Sequence, residues 1–154
     1  MRQNIFPDSL FPHWLVTCLW LTPLLAYNIV CHVWGSDIRM VLDEADRVLI
    51  RSILYGLAIV LFPFVNLLRY ILLRLNQTMP GDKPAKQRYL TTVSVCVGLI
   101  EVVGAFGFLM FVLGDDYNTL TIFSLLAVLG LFLQRPKLHE YLAISQALNA
   151  EPDD

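Results

Sequence analysis

The chain has 154 residues, of which 56% are apolar and 16% charged, and its net charge is −2. A mean hydropathy of +0.60 excludes an ordinary soluble domain, and the slightly acidic balance gives no reason to expect a nucleic-acid partner. The composition therefore predicts an all-α membrane protein whose main partner is the lipid bilayer.

Four apolar stretches have the length of membrane-spanning helices. A helical span needs ~20 residues, with a range of roughly 17 to 25. The fourth stretch is the shortest, because its apolar part is only Thr119–Leu133, and flanking residues must reach the interfaces. The four predicted transmembrane helices cover residues 11–34, 52–68, 90–113 and 117–134.

Basic residues indicate the orientation of these spans, because Lys and Arg are enriched in cytoplasmic loops. With the N-terminus inside, eight of the eleven basic residues lie on the cytoplasmic side and three on the outer side. The eight are Arg2, Arg69, Arg74, Lys83, Lys86, Arg88, Arg135 and Lys137, and the three are Arg39, Arg47 and Arg51. Both termini are therefore expected in the cytoplasm, and Arg51 and Arg69 are expected to extend from the ends of the second span toward water.

The polar segment 37–51 has apolar residues at helical spacing and predicts an amphipathic helix at the outer interface. These apolar residues are Ile38, Val41, Leu42, Ala45, Val48 and Leu49. Two interpretations remain open, namely a cap over the outer end of the bundle and a docking surface for a partner.

The two remaining polar segments lie on the predicted cytoplasmic side. Residues 76–88 contain Pro80, Gly81 and Pro84 and predict a turn rather than a helix. Residues 137–154 form a cytoplasmic tail that follows Pro136. Part of this tail has the spacing of one short amphipathic helix.

Glu101 lies near the middle of the stretch Leu90–Gly114, which is otherwise uncharged. A carboxylate at that depth costs roughly 3 kcal/mol on insertion scales. It must therefore be protonated, paired or turned toward a polar path, and it is the candidate site for a proton or an ion.

Small residues surround this carboxylate on the third span. Ser94, Gly98 and Ala105 share its face at helical spacing, and Gly104 and Gly107 widen the small surface. Such surfaces allow a second helix to approach closely. The pattern predicts that Glu101 lies in a helix–helix seam, where a protonated carboxyl donates a hydrogen bond to a neighbouring helix.

Four polar residues on other spans are possible partners of Glu101. Asn28 and His32 are four residues apart on the first span and so share a face, and the fourth span carries Thr121 and Ser124. One interpretation is a set of interhelical hydrogen bonds, and the other is a proton or ion path that includes Glu101.

No other pattern in the sequence predicts chemistry. The chain lacks a nucleophile motif and a phosphate-binding loop, and its scattered histidines and three cysteines do not have the spacing of metal ligands. We therefore expect no enzymatic activity, no cofactor and no metal.

Glu101, followed by Gly104 and Gly107, resembles the carboxylate-bearing helix of the proteolipid (rotor-ring) subunits of rotary ATPases. The resemblance implies a carboxylate that binds and releases a proton or sodium ion at mid-membrane. In those subunits this helix is the second and last helix of a hairpin, whereas in this chain a further predicted span follows it. The whole chain resembles the small four-span proteins of bacterial inner membranes, which implies that location.

Two hypotheses of function follow from the sequence. The first is an accessory or self-associating membrane subunit that acts through helix–helix contacts, because small residues surround a buried carboxyl. The second is a proton- or ion-coupled translocator centred on Glu101.

Overall fold

The computed structural model describes residues 11–79 and 83–149, and within them all regular secondary structure is helical. The described residues form α1 (Phe11–Leu19), α2 (Leu21–Ile38), α3 (Glu44–Thr78), α4 (Ala85–Val112), α5 (Tyr117–Leu133) and α6 (Leu138–Asn149). Arg2, the middle of the predicted inner loop and the last five residues of the predicted tail lie outside the described residues.

Three to four helices are long and apolar enough to cross a membrane. They are α1 and α2 together, α3, α4, and α5 if it is joined to α6, from which it is bent by 43°. By itself α5 has 17 residues, or about 25 Å at the rise of an α-helix, which is less than the ~30 Å of a hydrocarbon core. The protein is an all-α membrane protein, which confirms the predicted fold class.

Helix α4 is the centre of the bundle and contacts each of the other five helices. Glycines allow this close packing. A Cβ atom on Gly107 would lie 2.8 Å from Cβ of Phe123 on α5, and one on Gly104 would lie 2.6 Å from Cδ1 of Leu24 on α2. Because neither position has room for a side chain, the sequence of α4 sets the distance to both neighbours.

The first span is one apolar stretch, Phe11–Ile38, that is broken at Trp20. Pro23 explains the break, because it lacks an N–H and its ring crowds the carbonyl four residues earlier. That carbonyl belongs to Leu19, and it accepts a hydrogen bond from the Thr22 hydroxyl instead. The span extends one turn beyond the predicted end at residue 34.

The prediction of one amphipathic helix over residues 37–51 is wrong, because residues 39–43 are not helical. The N–H of Met40 donates to the Val112 carbonyl at 2.7 Å, so this segment bonds to the end of α4 and not along itself. The Asp43 carboxylate then accepts from the N–H of Glu44 and caps α3. Residues 44–51 are therefore the first two turns of the second span, and Val41 is fully exposed.

Helix α3 also continues ten residues past the predicted end of the second span at residue 68. The turn between α3 and α4 is thus shorter than the predicted loop 76–88, since α3 ends at Thr78 and α4 begins at Ala85. Buried Arg88 joins the two helices, because its guanidinium donates to the carbonyls of Asn76 and Met79 at 3.1 and 2.7 Å.

The tail contains one short helix, α6, as the amphipathic pattern predicts. Its Ile144 is fully buried in the core cluster around Val65 and Tyr89. Helix α6, the end of α3 and the starts of α1 and α4 meet at one end of the bundle, called the tail end below. The opposite end, formed by residues 38–44 and 112–118, is called the loop end.

Candidate functional site

The carboxyl of Glu101 is buried inside the bundle, with 4% of the residue exposed. Its Oε1 lies 3.6 Å from the point where a Cβ on Gly104 would be, and Leu24 Cδ1 lies 2.6 Å from the same point. Neither carboxyl oxygen has a hydrogen-bond partner among the described residues. Apolar atoms of α2 therefore lie close to Glu101, and the predicted hydrogen bond to a neighbouring helix is not present within residues 11–79 and 83–149.

The small residues around Glu101 pack within the chain. The position of a Cβ on Gly98 is 3.2 Å from the Trp20 ring, and that on Gly104 is 3.5 Å from Ala127 Cβ. Ser94 and Ala105 on the same helix are half-buried. The seam predicted from the sequence is thus occupied by α5 and by the junction of α1 and α2.

The break in the first span lies against the helical turn that carries Glu101. Gly98 precedes Glu101 by three residues and packs on Trp20, and Gly104 follows it by three and packs on Leu24. Trp20 and Leu24 are on either side of Pro23. The part of the first span whose backbone hydrogen bonds are interrupted therefore packs on the turns of α4 directly before and after Glu101.

The four predicted polar partners lie elsewhere. Asn28 Nδ2 donates to Ser124 Oγ at 3.0 Å and links α2 to α5. The rings of His32 and Tyr117 lie edge to face, 5.1 Å apart. Thr121 is exposed and donates to the carbonyl of Tyr117 on its own helix. The structure joins Asn28 to Ser124 and brings none of the four to the Glu101 oxygens.

Two of these residues, Asn28 and His32, lie on α2 between the level of Leu24 and the loop end. Asn28 is one helical turn beyond Leu24, or about 6 Å along α2, and His32 is one further turn. His32 and Tyr117 are exposed. Polar side chains thus line one face of α2 from the neighbourhood of the carboxyl to the surface.

A buried ion pair that the sequence does not predict lies at the tail end. Arg69, only 5% exposed, donates to Glu140 Oε2 from Nη2 at 2.6 Å and from Nε at 3.2 Å. It also donates to the Gln134 carbonyl at 2.6 Å and to the Arg135 carbonyl at 3.1 Å. The Tyr89 hydroxyl donates to Glu140 Oε2 at 3.0 Å.

The expectation that Arg69 extends toward water is therefore wrong. Its guanidinium turns inward because the end of α5 supplies carbonyls that lack helical partners and α6 supplies a carboxylate. The available signal was on α6: Glu140 precedes buried Ile144 by four residues, so the carboxylate lies on the buried face.

Three arginines converge on the turn between α4 and α5 at the loop end. Arg39 donates to the Asp115 carbonyl at 2.6 Å, and Arg47 donates to the Gly114 carbonyl at 2.7 Å. Arg51 forms a salt bridge of 3.1 Å with the buried Asp115 carboxylate. Gly114 has a φ of +92°, a conformation that favours glycine. These contacts hold residue 39 and the first two turns of α3 against the turn between α4 and α5.

Among residues 11–79 and 83–149, no group of three His, Cys, Asp or Glu side chains is placed to hold a metal ion. Comparisons of the chain with protein families, with curated proteins and with solved structures find no match. The geometry around Glu101 is therefore the basis for a functional proposal.

Proposed function

We propose that the protein binds and releases a proton at Glu101 and acts as a proton-coupled translocator, without enzymatic activity. The burial of this carboxyl with both oxygens unpartnered carries the proposal. Buried polar groups in native proteins are nearly always hydrogen-bonded, so a carboxyl retained for structure alone would have a partner. An ionisable group within a membrane span is a functional candidate by default.

A proton fits this environment better than a metal cation. A hard cation needs several oxygen ligands, whereas no polar group among the described residues lies within hydrogen-bond distance of the Glu101 oxygens. A protonated carboxyl is neutral and avoids the roughly 3 kcal/mol that a charge costs at mid-membrane. The buried environment of Glu101 in this structure therefore favours the protonated carboxyl.

Release of the proton requires water to reach the carboxyl, because the charged form must be solvated. The junction at Trp20 and Pro23 packs next to Glu101, and the backbone hydrogen bonds of the first span are already interrupted there. Movement of this junction would uncover Glu101. The hydrogen-bonded pair Asn28–Ser124 and the exposed His32 supply polar groups for a water-filled path toward the loop end.

Association with a second copy or another membrane protein, the first hypothesis from the sequence, has weaker support. It rests on the small residues of α4, and the three glycines among them pack on Trp20, α2 and α5 of the same chain. We further propose a bacterial inner-membrane location with both termini in the cytoplasm, because the basic residues are concentrated at the tail end.

Proton flux into liposomes tests the proposal. Purified protein is reconstituted with an internal pH dye, and flux is driven by a potassium diffusion potential. We expect wild-type flux to be abolished in Glu101→Gln, because an amide cannot exchange a proton, and reduced in Ser124→Ala. Thr121→Ala is the matched control, since Thr121 faces outward on the same helix and should leave the flux unchanged. Equal flux from wild type and Glu101→Gln, or none from either, would contradict the proposal.

A further inference from the structure

An apolar groove runs along the lipid-facing surface between α1 and α5. Both helices pack against α4, and the space between them has a volume of about 190 Å³. Its walls include Trp14 and Cys18 on α1, Leu21 on α2, and Val128 and Phe132 on α5. Trp14, Val128 and Phe132 are about half exposed, at 46%, 46% and 61%, so the groove is open along its length to lipid.

Arg135 is the one basic residue among the described residues that line this groove. Its guanidinium carbon lies 4.5 Å from the centre of the Phe132 ring. Its side chain takes part in none of the salt bridges among the described residues, and nearby Glu140 is bound to Arg69 and Lys137. The positive charge at the groove is therefore not neutralised by a carboxylate there.

One end of the groove carries residues that are typical of the headgroup region of a membrane. Arg135 follows the end of α5, and Trp14 belongs to the start of α1. Tryptophan and arginine are both typical of the membrane–water interface. From Val128 to its end at Leu133, α5 lines the groove over five residues, or about 8 Å, and Arg135 lies two residues beyond. This places the cation at the interface and the apolar walls within the hydrocarbon.

We propose that this groove is a binding site for one anionic phospholipid. The headgroup phosphate contacts Arg135, and one acyl chain lies between α1 and α5 against Cys18 and Val128. Charge complementarity selects this occupant, because basic positions between membrane helices bind anionic headgroups, whereas an apolar helix from a partner would leave the guanidinium without a counter-charge. The site is independent of proton exchange at Glu101.

Binding is measured by native mass spectrometry of the purified full chain in detergent, titrated with phosphatidylglycerol or with phosphatidylcholine. We expect one phosphatidylglycerol to bind at least several-fold more tightly than phosphatidylcholine. Arg135→Gln should weaken phosphatidylglycerol binding about fivefold, the equivalent of the ~1 kcal/mol that one basic residue contributes near a membrane surface. Arg74→Gln is the matched control, because Arg74 is also exposed at the tail end and lies over a tyrosine ring, away from the groove.

A second variant tests the acyl-chain contact separately. Cys18 is exposed, so Cys18→Trp fills the groove without disturbing the core, and it should reduce binding of either lipid. Equal binding of the two lipids, or an Arg135→Gln variant that binds phosphatidylglycerol as wild type does, would show ordinary boundary lipid and overturn the proposal. If Arg135→Gln does not fold, wild-type-like lipid binding by Cys18→Trp would overturn it equally.

Discussion

Replacing Arg69 with methionine should destabilise the protein strongly, although the residue lies at the end of a span where arginines usually reach water. Its guanidinium is 5% exposed and bridges α3, the end of α5 and α6. Methionine keeps the volume of the alkyl stem and removes the charge and the donors. It leaves the Glu140 carboxylate, whose side chain is 11% exposed, with only the longer contact to the Lys137 ammonium, 3.9 Å from Oε1.

The size of the effect follows from these contacts. Removing one partner of a buried ion pair costs about 3–5 kcal/mol. Glu140 retains the hydrogen bond from the Tyr89 hydroxyl, and the network lies at an end of the bundle where water can enter. We therefore expect a loss near the lower limit, about 3 kcal/mol in the free energy of unfolding. The double variant Arg69→Met/Glu140→Leu should regain most of it, because no unpaired charge remains.

Unfolding in mixed micelles measures these free energies, and limited proteolysis reports whether α6 is released. Arg74→Met is the control, since Arg74 is an exposed arginine on the same helix and should change the stability by less than about 0.5 kcal/mol. A loss in Arg69→Met that is no larger than in Arg74→Met, or a double variant as unstable as the single one, would refute the role of this ion pair.

Three further outcomes are expected. Reporter fusions at the C-terminus and in the α4–α5 turn should give cytoplasmic and external signals respectively, because of the bias in basic residues; the reverse pattern would invert the proposed topology. Gly107→Ala places a methyl group 2.8 Å from Phe123 Cβ and should lower the free energy of unfolding by about 1–3 kcal/mol through overpacking. Gly56→Ala is the control, because its methyl group meets nothing within 4 Å and should be neutral or stabilising. Equal melting temperatures of the two variants would exclude close packing of α4 on α5. Asp115→Ala should lose about 1 kcal/mol with the partly exposed Arg51 salt bridge, and exposed Asp116→Ala should lose less in the same unfolding assay.

Hydropathy alone predicts the fold class, because apolar length is what a bilayer requires. It did not predict where the helices end. Helix α3 continues past residue 68 through mixed polar and apolar sequence, since Leu72 and Leu73 in its last turns pack against the core cluster that α4 and α6 share. Residues 39–43 match the spacing of a helix, but the hydrogen bond from Met40 to the Val112 carbonyl and the Asp43 cap separate them from α3.

For the candidate site, the sequence identifies the ionisable residue but not its surroundings. Glu101 stands out because it is the single charge in a long apolar stretch. That its oxygens are unpartnered depends on how α2 packs on Gly104, which one helix cannot specify. The pairing of Arg69 with Glu140 joins residues 71 positions apart and depends on the bend between α5 and α6. The local pattern of α6 indicates only that Glu140 lies on the face that carries Ile144.

The central claim is that the carboxyl of Glu101 exchanges a proton. Infrared spectroscopy of the reconstituted protein tests this most directly, through the C=O band of a protonated carboxyl that is present in wild type and missing in Glu101→Gln. We expect such a band to decrease as the pH is raised, to return when it is lowered, and to shift in D₂O because the proton exchanges. A wild-type spectrum without a Glu101 band at any pH, or with a band that neither changes with pH nor shifts in D₂O, would contradict proton exchange at this site.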